Sequence, residues 1–258
     1  MITNNVNILK NIYDTLYQDY TFYIFLFFFI HFLSENIDKT FESLYFDSQI
    51  TLYVTSCVYY YMDNNVGWWM NYKIIPRSKE NKYKISYNKL ITINFINSLL
   101  GYIINKKILL NISSNRGLIY NNENLFIVLR DFFAIFYFYD FFFYINHRLI
   151  HTPLLYKKIH KLHHSIYANC AFSANYMTCT DYLLEIIFPF WLALYIYNPC
   201  FMSSYIFAII GQLNGAITHS GYNLKYFGNP IKHRGHHLYF NKNYGIGGPW
   251  DYLFKTYI

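Results

Sequence analysis

The sequence predicts an all-α integral membrane protein with about four transmembrane helices and a cytosolic histidine-rich helical cap. Three observations predict it: apolar runs separated by polar loops, a hairpin of two apolar arms, and histidines crowded into the second half of the chain. Of 258 residues, 54% are hydrophobic and 14% charged, against roughly 25% charged in a typical soluble domain. Aromatics reach 23%, a level that a bilayer and its interfaces use and a soluble core does not. AT-rich coding bias toward Asn, Ile, Lys, Tyr and Phe accounts for part of this. Mean hydropathy is only +0.11 because the abundant Asn and Tyr score as polar.

The first apolar run, Tyr20 to Leu33, is short for a span and either extends upstream to Ile12 or lies in the interface. It follows Asp14 and Asp19 rather than a basic stretch, and no small-residue cleavage site follows, so no cleaved signal peptide is expected. His31 stands alone in it and reads as structural. Leu44 to Met62 is the second run, weakened by Asp47 and Gln49, and Gly67-Trp68-Trp69 reads as an interfacial anchor. Residues 73–84 are a Lys-rich loop containing Pro76. Ile85 to Ile104 is the third run, weakened by Asn88, Asn94 and Asn97. Residues 105–124 read as polar, with Lys106, Lys107, Arg116 and Gly117. Leu125 to Tyr144 is apolar but carries Arg130, Asp131 and Asp140, and ionisable groups in such a segment suggest function. Leu183 to Tyr197 and Phe201 to Ile217 are two arms joined by the turn signal Asn198-Pro199-Cys200. Such a hairpin leaves one membrane surface and returns to it, so the histidines before and after it meet on one side.

The formal charge is +7. Its lysines lie beside apolar segments, which points to anionic lipid headgroups or plain loop solvation rather than nucleic acid. Cys57, Cys170, Cys179 and Cys200 show no Cys-x-x-Cys spacing, so neither a zinc ribbon nor a redox motif is present. Cys57 and Cys200 read as packing.

Nine of the ten histidines fall between residues 147 and 237, and their grouping is what matters. His147 and His151 form His-x-x-x-His. His160, His163 and His164 form His-x-x-His-His, and His233, His236 and His237 repeat it. His219 stands alone after the returning arm. On a helix, residues three or four apart share a face, so each cluster aims at least two imidazoles at one point. Imidazole suits iron, zinc, copper and nickel. Eight clustered histidines exceed one tetrahedral zinc site and suit two ions side by side. Nearby carboxylates look too few for a four-helix carboxylate di-iron centre. A transporter would place such ligands mid-span, whereas Lys157, Lys158, Lys161, Lys232 and Arg234 place these at the surface.

From about Asp140 to Thr256 the chain resembles the fatty acid hydroxylase superfamily, which includes sterol desaturases and sterol methyl oxidases. The resemblance rests on Asp140-x-x-x-Tyr144-x-x-His147-Arg148-x-x-His151 and on Tyr156-Lys157-x-Ile159-His160-Lys161-x-His163-His164. It continues through Thr218-His219-Ser220-Gly221-Tyr222 and His233-x-x-His236-His237-x-x-Phe240-x-x-Asn243-Tyr244-Gly245. It closes on Trp250-Asp251-x-Leu253-Phe254-x-Thr256. The resemblance implies a centre of two iron ions that activates oxygen beside a lipid C–H bond, giving an alcohol or a double bond. It implies electrons from NAD(P)H through a separate cytochrome b5 and its reductase. It also implies an endoplasmic reticulum membrane location with the histidines facing the cytosol. The implied substrate is a membrane lipid, with a sterol, a sphingoid base and a fatty acyl chain all open. Two positions depart from the pattern. Thr178 and Cys179 stand where His-Pro is frequent, with Asp181 keeping the acid, and Lys255 stands where Gly is common.

The expected metal ligands are therefore His147, His151, His160, His163, His164, His219, His233, His236 and His237, with no catalytic residue beyond the metal centre. Asp140, two helical turns before His147, and Asp251 are the candidates to orient a ligand ring from behind. Asp140 paired with Arg130 or a Tyr, and Asp251 as a helix cap, are the competing roles. Residues 1–124 are expected to form membrane segments and loops, and 125–258 the hydroxylase-like region, in one integrated domain. The lysines beside the histidines agree with a cytosolic cap. Lys106, Lys107 and Arg116 oppose it if residues 125–144 cross fully. Two alternatives share the metal site. One is a metal-binding relative without turnover that acts as a scaffold in a lipid-handling complex, and the other is a metal carrier.

Overall fold

The computed structural model describes residue 27 and residues 41–75, 86–116, 124–167, 169–224 and 228–258. The first apolar run, His31 and most of the 73–84 loop lie outside the described residues, Phe27 excepted. The described residues are helical, with one isolated bridge between Lys73 and Tyr222. The long helices are α1 (Phe41–Asn64), α2 (Tyr87–Arg116), α3 (Leu125–Ile150), α4 (Cys179–Tyr197) and α5 (Phe201–His219). Two shorter ones follow, α6 (Pro230–Tyr239) and α7 (Trp250–Leu253).

Local signals set most boundaries. The Asn124 side chain accepts from the amide of Ile127 and so caps α3. Pro153, two residues beyond the His151 cap, helps end it. The α4–α5 hairpin turns at Asn198, whose φ of 53° is left-handed. Asp131 reaches from α3 to this turn, accepting from the Cys200 amide at 2.8 Å and the Tyr197 hydroxyl at 3.1 Å. The Arg130–Asp131 ion pair completes the arrangement. These two ionisable residues, which the sequence marked as functional candidates, thus hold the hairpin. The first part of the polar stretch that begins at residue 105 is helical, because α2 runs on to Arg116. Its lysines and asparagines are compatible with helix wherever no Pro or Gly intervenes.

The hairpin packs between the other long helices. Leu52 and Tyr59 of α1, Val128 of α3 and Phe201 and Ile206 of α5 share one core. Ile135, Tyr139 and Phe143 of α3 meet Ala193, Leu194 and Phe207 in a second.

The polarity of α1 and α2 is reversed from that of a water-soluble bundle. On α2, Ile91, Phe95, Leu99 and Ile103 recur every fourth residue and face outward, while Asn94, Asn97, Ser98 and Asn105 are buried. On α1, Phe46, Ile50, Val54 and Val58 face outward, with Ser48, Gln49 and Ser56 inside. Cys57 belongs to this outward face, correcting its expected role in packing, whereas Cys200 is buried. A buried amide without a partner costs on the order of 2–7 kcal/mol, and the side-chain nitrogens of Asn94 and Asn97 have partners. Asn94 donates to the Phe172 carbonyl at 2.7 Å, and Asn97 to the Asn175 and Met177 carbonyls at 3.0 Å each. They tie the segment between the histidine turns and α4 to the bundle.

By length and apolarity, one described helix, Cys179–Tyr197, is sufficient to cross a membrane, with a mean hydropathy of 1.4. Of the about four spans expected from the apolar runs, one is shown by these criteria among the described residues.

Candidate metal centre

All nine clustered histidines come together at one end of the bundle, in two groups. His147, His151, His160, His164 and His236 form one; His163, His219, His233 and His237 form the other. Either group could hold a metal ion. Seven of the nine are buried, and His151 and His233 are partly exposed.

Each element contributes by its own geometry. His147 lies in the last turn of α3 and His151 caps it, four residues on and on the same face. The second cluster is not on an α-helix. A π-turn, Tyr156–His160, presents His160, and a 3-10 turn, His163–Ser165, presents His163 and His164. His219 ends α5, and α6 carries His233, His236 and His237. Both His-x-x-His-His clusters are divided between the groups. His160 and His164 join the five-histidine group and His163 the other, while His233 and His237 join the four-histidine group and His236 the first.

The tautomers follow from the hydrogen bonds. The Nδ1 atoms of His147, His219 and His236 lie 2.7–2.8 Å from the carbonyls of Tyr244, Gly215 and Lys242. A carbonyl only accepts, so each Nδ1 donates and each Nε2 carries a bare lone pair. His160 Nδ1 likewise meets the Asp181 carboxylate at 2.9 and 3.0 Å. The Nε2 atoms converge: His147–His160 3.2 Å, His151–His236 3.1 Å and His164–His236 3.2 Å in one group. In the other, His163–His219 is 3.4 Å, His219–His233 2.8 Å and His233–His237 3.0 Å. Two nitrogens bound to one ion at 2.0–2.1 Å lie roughly 2.9 Å apart at a right angle and roughly 3.4 Å at the tetrahedral angle. The observed spacings match those edges, and lone pairs facing each other this closely repel unless a cation or proton sits between them. The donor set therefore fits two imidazole-bound transition metals.

Burial lowers the pKa of these rings, because the charged form loses its hydration, and neighbouring imidazoles add repulsion. His236 falls to about 4 and His151 to about 3, and His160, His163, His164, His233 and His237 are also lowered. Neutral imidazole is the form that binds metal. An unfolded histidine titrates near 6.5, so between that value and about 4 the unfolded chain holds more protons than the folded one. Stability is then full above the unfolded value and declines as pH falls through this window. The metal-free protein is expected to melt at progressively lower temperature from pH 7 to pH 5. A melting temperature flat across that range would contradict neutral, buried rings.

The two acids expected to orient a ring do so only through the backbone. Asp140 accepts from the Ile246 amide at 2.7 Å, and Asp251 from the Tyr244 and Gly245 amides at 2.8 Å each and from the Thr256 hydroxyl at 2.7 Å. They pin the 242–248 segment, whose Lys242 and Tyr244 carbonyls hold His236 and His147. The approach is close: a Cβ on Gly248 would lie 2.0 Å from Asp140 Oδ2. Asp140 is thus not the partner of Arg130.

The carboxylates that touch the rings are Asp181 and Glu185, and neither was among the expected site residues. Glu185 lies in the π-turn Leu183–Ile187 of α4, 3.5 Å from His160 Nδ1 and 3.7 Å from His147 Nε2. The available signal was a glutamate inside an apolar arm, costly unless partnered. Thr178, at one of the departing positions, caps α4 by accepting from the Asp181 amide at 3.2 Å, and donates to the Ile159 carbonyl at 3.0 Å.

Comparison with known proteins matches this part of the chain to proteins named for fatty acid hydroxylases and sterol desaturases. The fatty acid hydroxylase family profile matches residues 132–256. Over 119 residues the chain is 34% identical to fatty acid hydroxylase domain-containing protein 2 of Homo sapiens, covering 44% of this chain and 34% of that one. It is 32% identical over 114 residues to fatty acid hydroxylase ahd1 of Mycosarcoma maydis, covering 44% and 30%. It is 31% identical over 116 residues to Delta(7)-sterol 5(6)-desaturase erg31 of Schizosaccharomyces pombe, covering 41% and 36%. The chain spans about a third of the length of these relatives. No solved structure matches significantly.

Proposed function

Residues 132–256 belong to the fatty acid hydroxylase superfamily, and from that premise we propose that the protein is a membrane-bound, oxygen-dependent lipid hydroxylase or desaturase with a two-iron centre. The substrate is the C–H bond of a sterol, a sphingoid base or a fatty acyl chain. The observation that carries this reading is the convergence of nine Nε2 atoms into groups of five and four. Iron bound there would supply oxygen activation, with enough oxidising power for an unactivated C–H bond. His147, His151, His160, His164 and His236 would hold one ion, and His163, His219, His233 and His237 the other. The Tyr244, Lys242 and Gly215 carbonyls and the Asp181 carboxylate keep Nδ1–H in place and leave Nε2 free to bind. Burial of most of the rings excludes bulk water.

Membrane insertion is supported by the apolar helix Cys179–Tyr197 and by the outward apolar ridges of α1 and α2. At 1.5 Å per residue, those two helices are roughly 36 and 45 Å long, enough for a hydrocarbon core of about 30 Å. A cytosolic cap at the endoplasmic reticulum is supported by charge. All four acids after residue 139, Asp140, Asp181, Glu185 and Asp251, are buried, while Arg148, Lys157, Lys158, Lys161 and Lys255 are exposed. Such a surface suits an acidic electron donor, here cytochrome b5 fed by its reductase from NAD(P)H.

Elemental analysis of the detergent-purified protein, with turnover on a panel of sterols, sphingoid bases and acyl lipids, tests this reading. About two irons per chain and product formed only with oxygen and reductant are expected. A protein without metal overturns it. A metal-loaded protein that yields no product with any lipid moves the assignment to the scaffold alternative.

A further inference from the structure

Phe240 follows α6 in a left-handed conformation, φ 64° and ψ −24°, and its amide donates to the His236 carbonyl at 2.9 Å. Glycine or asparagine is the usual residue at this place after a helix, and a bulky side chain with positive φ is an outlier. The backbone aims the ring at the five-histidine group. Phe240 stacks on His164 with centroids 5.0 Å apart and planes 25° apart, and lies 5.6 Å from Tyr156. Tyr156 in turn lies 5.7 Å from both His151 and His164. Phe240 keeps 39% of its surface exposed, while His164 beneath it keeps 5%. One face of the ring meets the exterior and the other covers an imidazole.

We infer that Phe240 is a shielding residue: its ring, held over His164 by the strained backbone and flanked by Tyr156, covers the exterior approach to His164 in the five-histidine group. Strain of this kind persists where the surroundings hold it and is characteristic of functional sites. A glycine would make the same helix cap more easily, so the cap alone does not account for the ring. The part of the test that follows metal rests on the proposed function; the part that follows histidine chemistry does not.

The test compares Phe240→Gly, which removes the ring and relaxes the backbone, with Phe240→Tyr, which keeps the ring. In metal-stripped protein, diethyl pyrocarbonate acylation is mapped residue by residue by peptide mass. His164 is expected to react about tenfold faster in Phe240→Gly, with His219 in the other group unchanged and Phe240→Tyr like the wild type. In iron-loaded protein, transfer of iron to bipyridine is expected to be about tenfold faster in Phe240→Gly, while the thermal melt is no lower. Lys255→Gly relaxes another left-handed residue, φ 57°, and should change neither rate. An unchanged His164 rate in Phe240→Gly overturns the shield. So does an equal acceleration at all nine histidines, which would make the ring a prop for the fold. A protein that takes up no iron would overturn the proposed function, and the acylation rates would still decide the role of Phe240.

Discussion

Replacing His236 by alanine should remove one metal ion from each chain and leave the other in place. His236 belongs to the five-histidine group, with its Nε2 3.1 Å from His151 and 3.2 Å from His164. His163 belongs to the four-histidine group, 3.4 Å from His219, so His163→Ala should empty the opposite site. Each single variant is expected to fall from about two ions to about one and, on the proposed function, to lose turnover. The double variant should retain none. A scheme of one sequence cluster per metal would give the same pattern for these three variants, and His233 is what separates it from the structural partition. Under that scheme His236 and His233 would serve the same ion, so His233→Ala would be additive with His163→Ala. The structure places His233 with His163, and that pair should together remove a single ion. Elemental analysis of the four proteins decides it, and a double variant of His163 and His233 stripped of both metals would refute the partition.

The second large effect is expected at Asp181. His160 has its Nδ1 against both oxygens of this fully buried carboxylate, at 2.9 and 3.0 Å. An ionised Asp181 would make the opposite nitrogen a better ligand, and its two oxygens fix the plane of the ring. Asp181→Asn keeps the shape and removes the charge. Affinity for the ion of the five-histidine group should fall by about 10–100-fold, the usual cost of losing such a partner. The four-histidine ion should bind as before, because no described member of that group touches Asp181. Titration against a chromophoric chelator resolves the two ions. Equal weakening of both would point to a general loss of packing, and unchanged affinity would show that Glu185 suffices. Glu185, 3.5 Å from the same nitrogen, is the residue to replace next.

The departure at Thr178 has a structural role of its own. Its hydroxyl caps α4 and binds the Ile159 carbonyl, which sets Asp181 against the turn that carries His160. The resemblance alone flagged a missing His-Pro; the hydrogen bonds show what the replacement does.

The sequence by itself determined the helical class, the α4–α5 hairpin and the nine histidines of the site. These are short-range properties. Spacing of three or four residues places imidazoles on a common face, and Asn198-Pro199 breaks a helix whatever surrounds it. Tertiary structure decided the rest. Whether His163 shares an ion with His160 or with His219 depends on a π-turn followed by a 3-10 turn, and on where α5 and α6 arrive beside them. The carboxylate at His160 comes from the far end of a loop tied down by Asn94 and Asn97, residues that the sequence marked only as weakening a span. Asp140 and Asp251 were legible as acids that could orient a ring, but their target, a loop whose carbonyls hold two of the rings, was not. Spacing encodes which side chains point the same way; only the crossing of distant helices determines which of them converge on one ion.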